Sequence, residues 1–344
     1  MNRYQELFSK LHPTTPLTKN SNILIVDGTN TFIRIWSNVP SMNDNGDHVG
    51  GVVGFLRSIG ALIRREMPTR CIIVFDGVGG SQRRRKLYPE YKANRKNKVK
   101  LNRFDEFRDL QDEAESIKKQ FNRIIQYLDT LPITLICIDN IEADDTIAYL
   151  VNYHKQFDSK VTICSTDKDF LQLVNDNVSV YSPVKKITYT PKLVEEEFGF
   201  TNKNYLIYKT LQGDSSDNIP GVKGVGLKTF LKHYPEIITE ELNVNSFIEK
   251  TKDKLKINPK VKILQDILNA ENQIKLNYNL MQLNESIISG QAKLNIQNKI
   301  QQKYTLDNKT FLKLYFDDGL NTMIKDPHSW LSNTFNRLLV YANQ

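Results

Sequence analysis

The sequence predicts an α/β fold: a central, mostly parallel sheet flanked by helices, followed by a helical C-terminal region. Three observations carry this reading. Four short Ile- and Val-rich runs each end in, or just before, an acidic residue; long helical patterns separate them; and β-branched runs become scarce after Thr190. Short apolar runs of this kind read as strands covered on both faces, and strand–helix–strand repetition implies parallel strands with right-handed crossovers.

The elements follow in order. "NILIVDGTN" (Asn22 to Asn30) carries the first strand into Asp27, and "GFLRSIGALIRREM" (Gly54 to Met67) is a helix. "CIIVF" leads into Asp76, "TLICI" into Asp139 and Glu142, and "VTIC" into Ser165, Thr166 and Asp167. "DDTIAYLVNYH" (Asp144 to His154) is a helix, "DFLQLV" opens another, and "VSVYSP" (Val178 to Pro183) is a fifth strand that turns into "ITYT". Beyond Thr190 the chain reads as amphipathic helices, with a break at Asn258-Pro259. The expected division is an α/β domain over 1–190, with a protruding element over about 79–131, and a helical region over 191–344 that shares one body with it.

Composition narrows the function classes. The 344 residues are 40% hydrophobic and 25% charged, as in a soluble globular protein. No apolar run approaches the roughly 20 residues that span a bilayer, and "MNRYQELFSKLHPTTP" lacks a secretory pattern. Cys71, Cys137 and Cys164 lie scattered in apolar runs, so buried free thiols in a reducing compartment are expected, with no zinc spacing. A cytoplasmic protein with no membrane partner follows as the expectation.

The net charge of +8 is concentrated in one segment. "SQRRRKLYPEYKANRKNKVK" (Ser81 to Lys100) holds nine basic residues and one acidic residue, and the rest of the chain holds 38 of each. A basic run can be merely a solvated face. Here it is internal and interleaved with Tyr88 and Tyr91, and guanidinium groups pair with phosphates while aromatic rings stack on bases. Nucleic-acid contact is therefore the favoured reading.

The acids point to metal chemistry. Ligand sites in open parallel sheets lie beyond the carboxyl ends of the strands, where Asp27, Asp76, Glu142 and Asp167 fall. On a helix, Asp144 shares a face with Ile147, Ala148 and Val151, and Glu142 shares one with Asp145. Helix N-termini favour acids and one Asp suffices for a cap, but "EADD" and "STDKD" carry more than capping requires. With Asp169, Asp214 and Asp217 there are nine candidate ligands, and no histidine falls near them. All-oxygen ligation selects Mg²⁺ or Mn²⁺, and nine carboxylates suit two ions flanking a phosphate.

"GDSSDNIPGVKGVGLKTF" adds a glycine turn, Gly221, Val222, Lys223, Gly224, Val225 and Gly226, running into a helix near Leu227 with Lys228 at its start. Such a turn is either a helix packing joint or a grip on a duplex backbone that reads no sequence.

In order and spacing, "DGTN", "VFDG", "RRRKLYPEYKANR", "EADDTIA", "STDKDFLQL" and "GDSSDNIPGVKGVG" resemble the 5′-nuclease, or flap endonuclease, superfamily, and "TFLKLYFDDGL" resembles its phage type, the ribonuclease H of T-even-like phages. The resemblance runs from about Asn22 to Leu320. It implies a 5′→3′ exonuclease and structure-specific flap endonuclease that acts on DNA and RNA–DNA hybrids and removes RNA primers and 5′ flaps in replication, by a two-Mg²⁺ mechanism with metal-activated water. It implies a monomer, a phage protein in a host bacterial cytoplasm, and 5′-flap, forked or nicked duplexes as partners. One metal cluster would use Asp27, Asp76, Glu142, Asp144 and Asp167, and the other Asp145, Asp169, Asp214 and Asp217. The basic segment would be a helical arch, with Arg84 or Arg85 and Lys92 at the scissile bond and Arg83, Lys86, Tyr88, Tyr91, Arg95 and Lys96 on the strand. The glycine turn would belong to a helix-three-turn-helix element over about 205–233, often with a K⁺ ion.

The tail from Asp326 to Gln344 reads as a packed terminal helix, or as a contact for a single-strand-binding protein or sliding clamp. Two rival functions remain. An aspartate-type phosphatase needs an acid two residues before Asp27, where Ile25 stands, and a non-catalytic branched-DNA-binding protein has no need of all nine acids.

Overall fold

A computed structural model describes residues 18–96, 102, 107–283, 288–320 and 323–342, the Lys96 side chain excepted. The expectations for residues 1–17, for the Lys96 side chain and for the middle of the protruding segment lie outside the described residues.

Alternation along the strands builds a sheet covered on both faces. Six strands run in the order β3-β2-β1-β4-β5-β6: β1 Asn22–Asp27, β2 Arg70–Asp76, β3 Thr134–Ile138, β4 Lys160–Cys164, β5 Val178–Ser182 and β6 Ile187–Tyr189. All neighbours are parallel except β5 and β6. Ile23, Ile25, Ile72, Val74, Val161 and Ile163 face one core, with Ile147 and Leu150 of helix Ala143–Lys155. Leu24, Val26, Cys71, Ile73 and Phe75 face the other, with helices Gly28–Asn38, Gly50–Glu66 and Leu110–Asp129. Successive side chains of a strand point to opposite faces, so an uninterrupted apolar run needs a layer on each.

The helical region continues the first core. Its apolar cluster runs without a break from Ile23 on β1 to Ile300 at the end of helix Gly290–Gln301. The chain then doubles back. Helices Asn308–Asp317 and Pro327–Ala342 pack on the second face, adding Phe311, Tyr315, Leu331, Phe335 and Leu338 to the core that holds Trp36 and Leu56. The tail lies close enough that a Cβ on Gly60 would come within 2.8 Å of the Trp330 ring. Its apolar face is thus packed against the sheet layer.

Two local expectations are corrected. Cys137 is exposed while Cys71 and Cys164 are buried, because β3 is an edge strand and lacks a neighbour on one side. "DFLQLV" is a 3₁₀ turn over Lys168–Leu173, with Asp167 as its N-cap.

Candidate metal centre and nucleic-acid interface

Strand order brings the acids together. β3, β2, β1 and β4 are contiguous and parallel, so Asp27, Asp76, Glu142 and Asp167 leave the sheet along one rim. Asp27 is 4% exposed and caps helix Gly28–Asn38: Oδ1 accepts from Asn30 N at 3.0 Å and Oδ2 from the Ser165 hydroxyl at 2.9 Å. Asp76 Oδ1 accepts from Ala143 N at 2.7 Å, at the N-terminus of helix Ala143–Lys155, and its own N–H donates to the Thr29 hydroxyl. Asp167 Oδ1 accepts from Asp169 N at 2.8 Å. Local capping explains these positions, since helix starts need acceptors for their free N–H groups.

The basic segment does not stand clear of these acids. Arg84 is 4% exposed, and its Nη1 donates to Glu142 Oε2 at 2.6 Å and to Asp145 Oδ2 at 2.7 Å. Its Nη2 donates to Asp145 Oδ1 at 2.8 Å, and its Nε to the Leu280 carbonyl at 2.8 Å, where helix Glu271–Met281 ends. Glu142 Oε1 also takes Lys92 Nζ at 2.6 Å and the Ser81 hydroxyl at 2.8 Å. Tyr91 is buried, with its hydroxyl 3.0 Å from Asp217 Oδ2 and 3.1 Å from Glu142 Oε2, and Arg95 Nη2 pairs with Asp217 Oδ1 at 2.6 Å. The helix places Glu142 and Asp145 side by side, and Arg84 joins them. Arg83, Arg85 and Lys86 are exposed on helix Gln82–Leu87, and Tyr88 is half-buried.

Lys209, which the sequence reading passed over, is a further buried cation among these acids. Its Nζ lies 2.9 Å from Asp169 Oδ1 and 3.0 Å from Asp214 Oδ2. Asp214 Oδ1 folds its own turn, accepting from Ser216 N at 2.8 Å and from the Ser216 hydroxyl at 2.7 Å. A lone lysine in the apolar helix "YLIYKTLQ", five residues before Asp214, was the available signal.

The site therefore has two halves. Arg84 and Lys92 hold Glu142 down to about 2 against its burial, and Lys209 keeps Asp214 below the usual carboxylate range. The other half is only partly compensated, by Lys209 beside Asp169 and Asp167. Burial, with Asp76 and Asp167 nearby, raises Asp27 to about 7. Burial and then Asp167, Asp27 and Glu142 raise Asp144 well above its ordinary value. Burial raises Asp167, with the charges of Asp217 and Asp214 adding to it. Burial and Asp167 bring Asp169 to about 7 despite Lys209.

Among the described residues, no three Asp, Glu, His or Cys side chains are gathered closely enough to hold an ion as they stand. The donor set nonetheless suits one. Asp27, Asp144 and Asp167, with Asp76 beside them, offer oxygen donors whose mutual repulsion a hard divalent cation would relieve. The periodicity put Asp144 on the buried face of its helix. Asp145 is the more deeply buried of the two, at 2% exposed, because Arg84 closes over it.

The glycine turn packs as well as protrudes. Val222 and Val225 are buried, so only their backbones are offered to a ligand, whereas Lys223 and Lys228 are exposed. A Cβ on Gly221 would stand 2.1 Å from the Gln212 carbonyl oxygen, so the turn lies directly on the end of helix Tyr205–Gln212. Asn277, fully buried, donates to the Thr210 and Pro220 carbonyls at 2.8 Å each and ties the turn to helix Glu271–Met281.

The family described as 5′-3′ exonuclease, N-terminal resolvase-like domain, matches residues 22–199. A 5′-3′ exonuclease of Aquifex aeolicus is 33% identical over 219 residues, 62% of this chain and 70% of that protein. DNA polymerase I of Bacillus subtilis is 32% identical over 245 residues, 70% of this chain, and the chain spans only 26% of that longer protein. In fold, the chain is similar to a bacteriophage T5 flap endonuclease solved with DNA and metal ions, with a TM-score of 0.61 at 24% identity, covering 86% of this chain and 97% of the other. Among the described residues no helix is long and apolar enough to cross a membrane.

Proposed function

From the premise that the chain belongs to the 5′-3′ exonuclease family, we propose that it is a divalent-metal-dependent 5′ nuclease that hydrolyses phosphodiester bonds at 5′ flaps and ends. The carrying observation is the group of under-compensated carboxylates, Asp27, Asp144 and Asp167, on a rim bordered by basic side chains.

Asp27, Asp76, Glu142, Asp144 and Asp167 would hold one ion, and Asp145, Asp169, Asp214 and Asp217 a second, which would exchange with Lys209 for Asp169 and Asp214. When bound, such ions polarise the scissile phosphate and make water a stronger nucleophile at neutral pH. The chain's own residues do the rest. Arg84 and Lys92 fix Glu142, and Arg84 fixes Asp145, so these two acids are held by the chain's own cations. Lys92, on the boundary between the acids and the basic segment, supplies a positive charge beside an incoming phosphate.

Exposed Arg83, Arg85, Lys86 and Arg95 suit the phosphates of a 5′ single strand. Lys223, Lys228 and the open backbone at Gly226 suit the duplex beyond it, and a K⁺ ion at the turn belongs to the same reading. Mg²⁺, with Mn²⁺ as a substitute, fits the all-oxygen donors. Action on RNA–DNA hybrids, primer removal, a phage origin and a cytoplasmic setting complete the proposal, as does a division into a nuclease domain over 1–190 and a DNA-binding region after it. Product-length mapping on a 5′-labelled flap duplex, in Mg²⁺ and in EDTA, tests it. Metal-dependent cuts at the flap junction or the 5′ end are expected, and binding without cleavage would overturn it.

A further inference from the structure

Outside the arginine-rich segment the charges balance in number but not in space. Residues 221–262, from the glycine turn to the start of helix Lys262–Asn269, hold nine lysines and five acids. Each of the five acids is taken by an ion pair. Glu236 pairs with Lys254 at 3.1 Å, Glu240 with Lys250 at 2.9 Å and Glu241 with Lys203 at 3.1 Å. Glu249 pairs with Lys252 at 2.8 Å and Asp253 with Lys256 at 2.9 Å. Five lysines remain, Lys223, Lys228, Lys232, Lys260 and Lys262; all are exposed, and none has an ion-pair partner among the described residues. The next acid along the chain, Asp266, is half-buried.

Packing brings these five onto adjoining elements. Helix Leu227–His233 carries Lys228 and Lys232 one turn apart and lies on helix Val244–Ile257. Phe230 meets Phe247 with ring centres 6.2 Å apart, and the Tyr234 hydroxyl is 2.7 Å from Thr251 Oγ1. Helix Lys262–Asn269 then starts beside the glycine turn, where a Cβ on Gly224 would stand 3.7 Å from Ile263 Cδ1. Lys262 is the neighbour of Ile263, and Lys260 precedes it by two residues. The glycine turn thus has acids at one end, where Gly221 lies on the helix before Asp214, and a lysine corner at the other.

Exposed lysines ordinarily stand among acids, which blunts their field. Here the acids of the region are already paired, and five like charges are left on one continuous set of elements. A duplex backbone carries one negative charge per about 1.7 Å of axis, dense enough to meet several lysines at once. We propose that Lys232, Lys260 and Lys262 continue the duplex grip of the glycine turn, so that the protein selects flaps whose duplex arm is long enough to reach them. This rests on the reading of the glycine turn as a duplex-binding element. Phosphate contacts position a duplex without reading its bases, so the selection is for arm length and not for sequence.

Equilibrium binding of 5′-flap substrates to the full chain tests it, in EDTA so that no strand is cut. The substrates share one flap and differ in a hairpin-closed arm of about half a helical turn or about one and a half turns, roughly 5 and 15 base pairs. Wild type should bind the long arm about tenfold more tightly or better. Lys232→Ala, Lys260→Ala and Lys262→Ala combined should remove most of that gain. On the long arm they should also lower the slope of log K against log salt by about 3, one for each phosphate contact. Affinity for the short arm should change by less than about twofold. Lys232→Arg, Lys260→Arg and Lys262→Arg combined should keep the wild-type gain, because the charge is retained. No gain with arm length in wild type, an unchanged gain in the alanine variant, or an equal loss on both arms would overturn the proposal. Competition by polyglutamate as strong as that by duplex would also overturn it and assign the surface to an acidic protein. A gain with arm length in a protein that cleaves neither flap in Mg²⁺ would overturn the nuclease reading and leave the duplex surface standing.

Discussion

Arg84 holds Asp145 in a buried fork, Nη1 to Oδ2 at 2.7 Å and Nη2 to Oδ1 at 2.8 Å. The pair joins the basic segment to the helix that carries Asp144 and Asp145 and has Glu142 at its N-cap position, so the arm that would meet substrate and the ligands that would meet metal are mechanically one unit.

Removing the arginine leaves Asp145 and Glu142 buried without their main counter-ion. Breaking one partner of a buried pair costs about 3–5 kcal/mol. Arg84→Met should therefore lose about that much stability in urea denaturation without divalent ions, and Arg84→Lys should recover little, because an ammonium cannot reproduce the fork. A loss below about 1 kcal/mol in Arg84→Met would show that the fork carries no weight.

Lys209 bridges Asp169 and Asp214 from a helix outside the sheet. Without it, two carboxylates face each other with no internal cation. Lys209→Met should melt lower than wild type in EDTA, and Mg²⁺ should raise its Tm by more than it raises that of wild type. An equal Mg²⁺ response in both proteins would argue against carboxylates that compete between lysine and metal.

Much of this arrangement could be read from the sequence, for physical reasons. Apolar runs that end in Asp27, Asp76 and Asp167 are visible because buried strands tolerate few polar residues and stop where the chain meets solvent. Partners that arrive from afar were not legible. Arg84 looks like one of several equivalent arginines in "RRRK", and only the helix ending at Met281 shows that this one is buried. Lys209 needed the contact between two regions distant in the chain, and the exposure of Cys137 needed the strand order. The valines of "GVKGVG" carry no local mark of their burial; it comes from the helices beneath them.

The glycine turn gives a steric prediction. Gly221→Ala would place a methyl group 2.1 Å from a backbone oxygen, so the turn must shift off its helix. Affinity for duplex DNA should fall while Mg²⁺-dependent stabilisation persists. Lys223→Ala, by contrast, should leave the fold intact and reduce the slope of log K against log salt by about 1. Unaltered duplex affinity in Gly221→Ala would remove the turn from the interface.

His154 supplies a pH dependence. It is fully buried, neither ring nitrogen has a partner, and burial with Arg70 nearby pulls its pKa from 6.5 down to about 3. The unfolded chain thus binds this proton more readily than the folded one between those values. Stability from keeping the ring neutral is present above pH 6.5 and is lost as pH falls toward 3. His154→Leu should flatten the acid limb of the stability curve by about one proton's slope. An unchanged limb would mean that the ring finds a way to protonate in place.

The central claim is that the under-compensated acids on the strand rim hold the catalytic ion. Single-turnover cleavage of a 5′-flap duplex across a Mg²⁺ titration tests it most directly, comparing wild type with Asp144→Asn and Asp167→Asn while flap binding is measured in parallel. Both variants should bind the flap at least as well as wild type and cleave it more slowly by about 10² or more, with no cleavage by any protein in EDTA. Wild-type rates in either variant, or cleavage that persists without divalent ions, would contradict it.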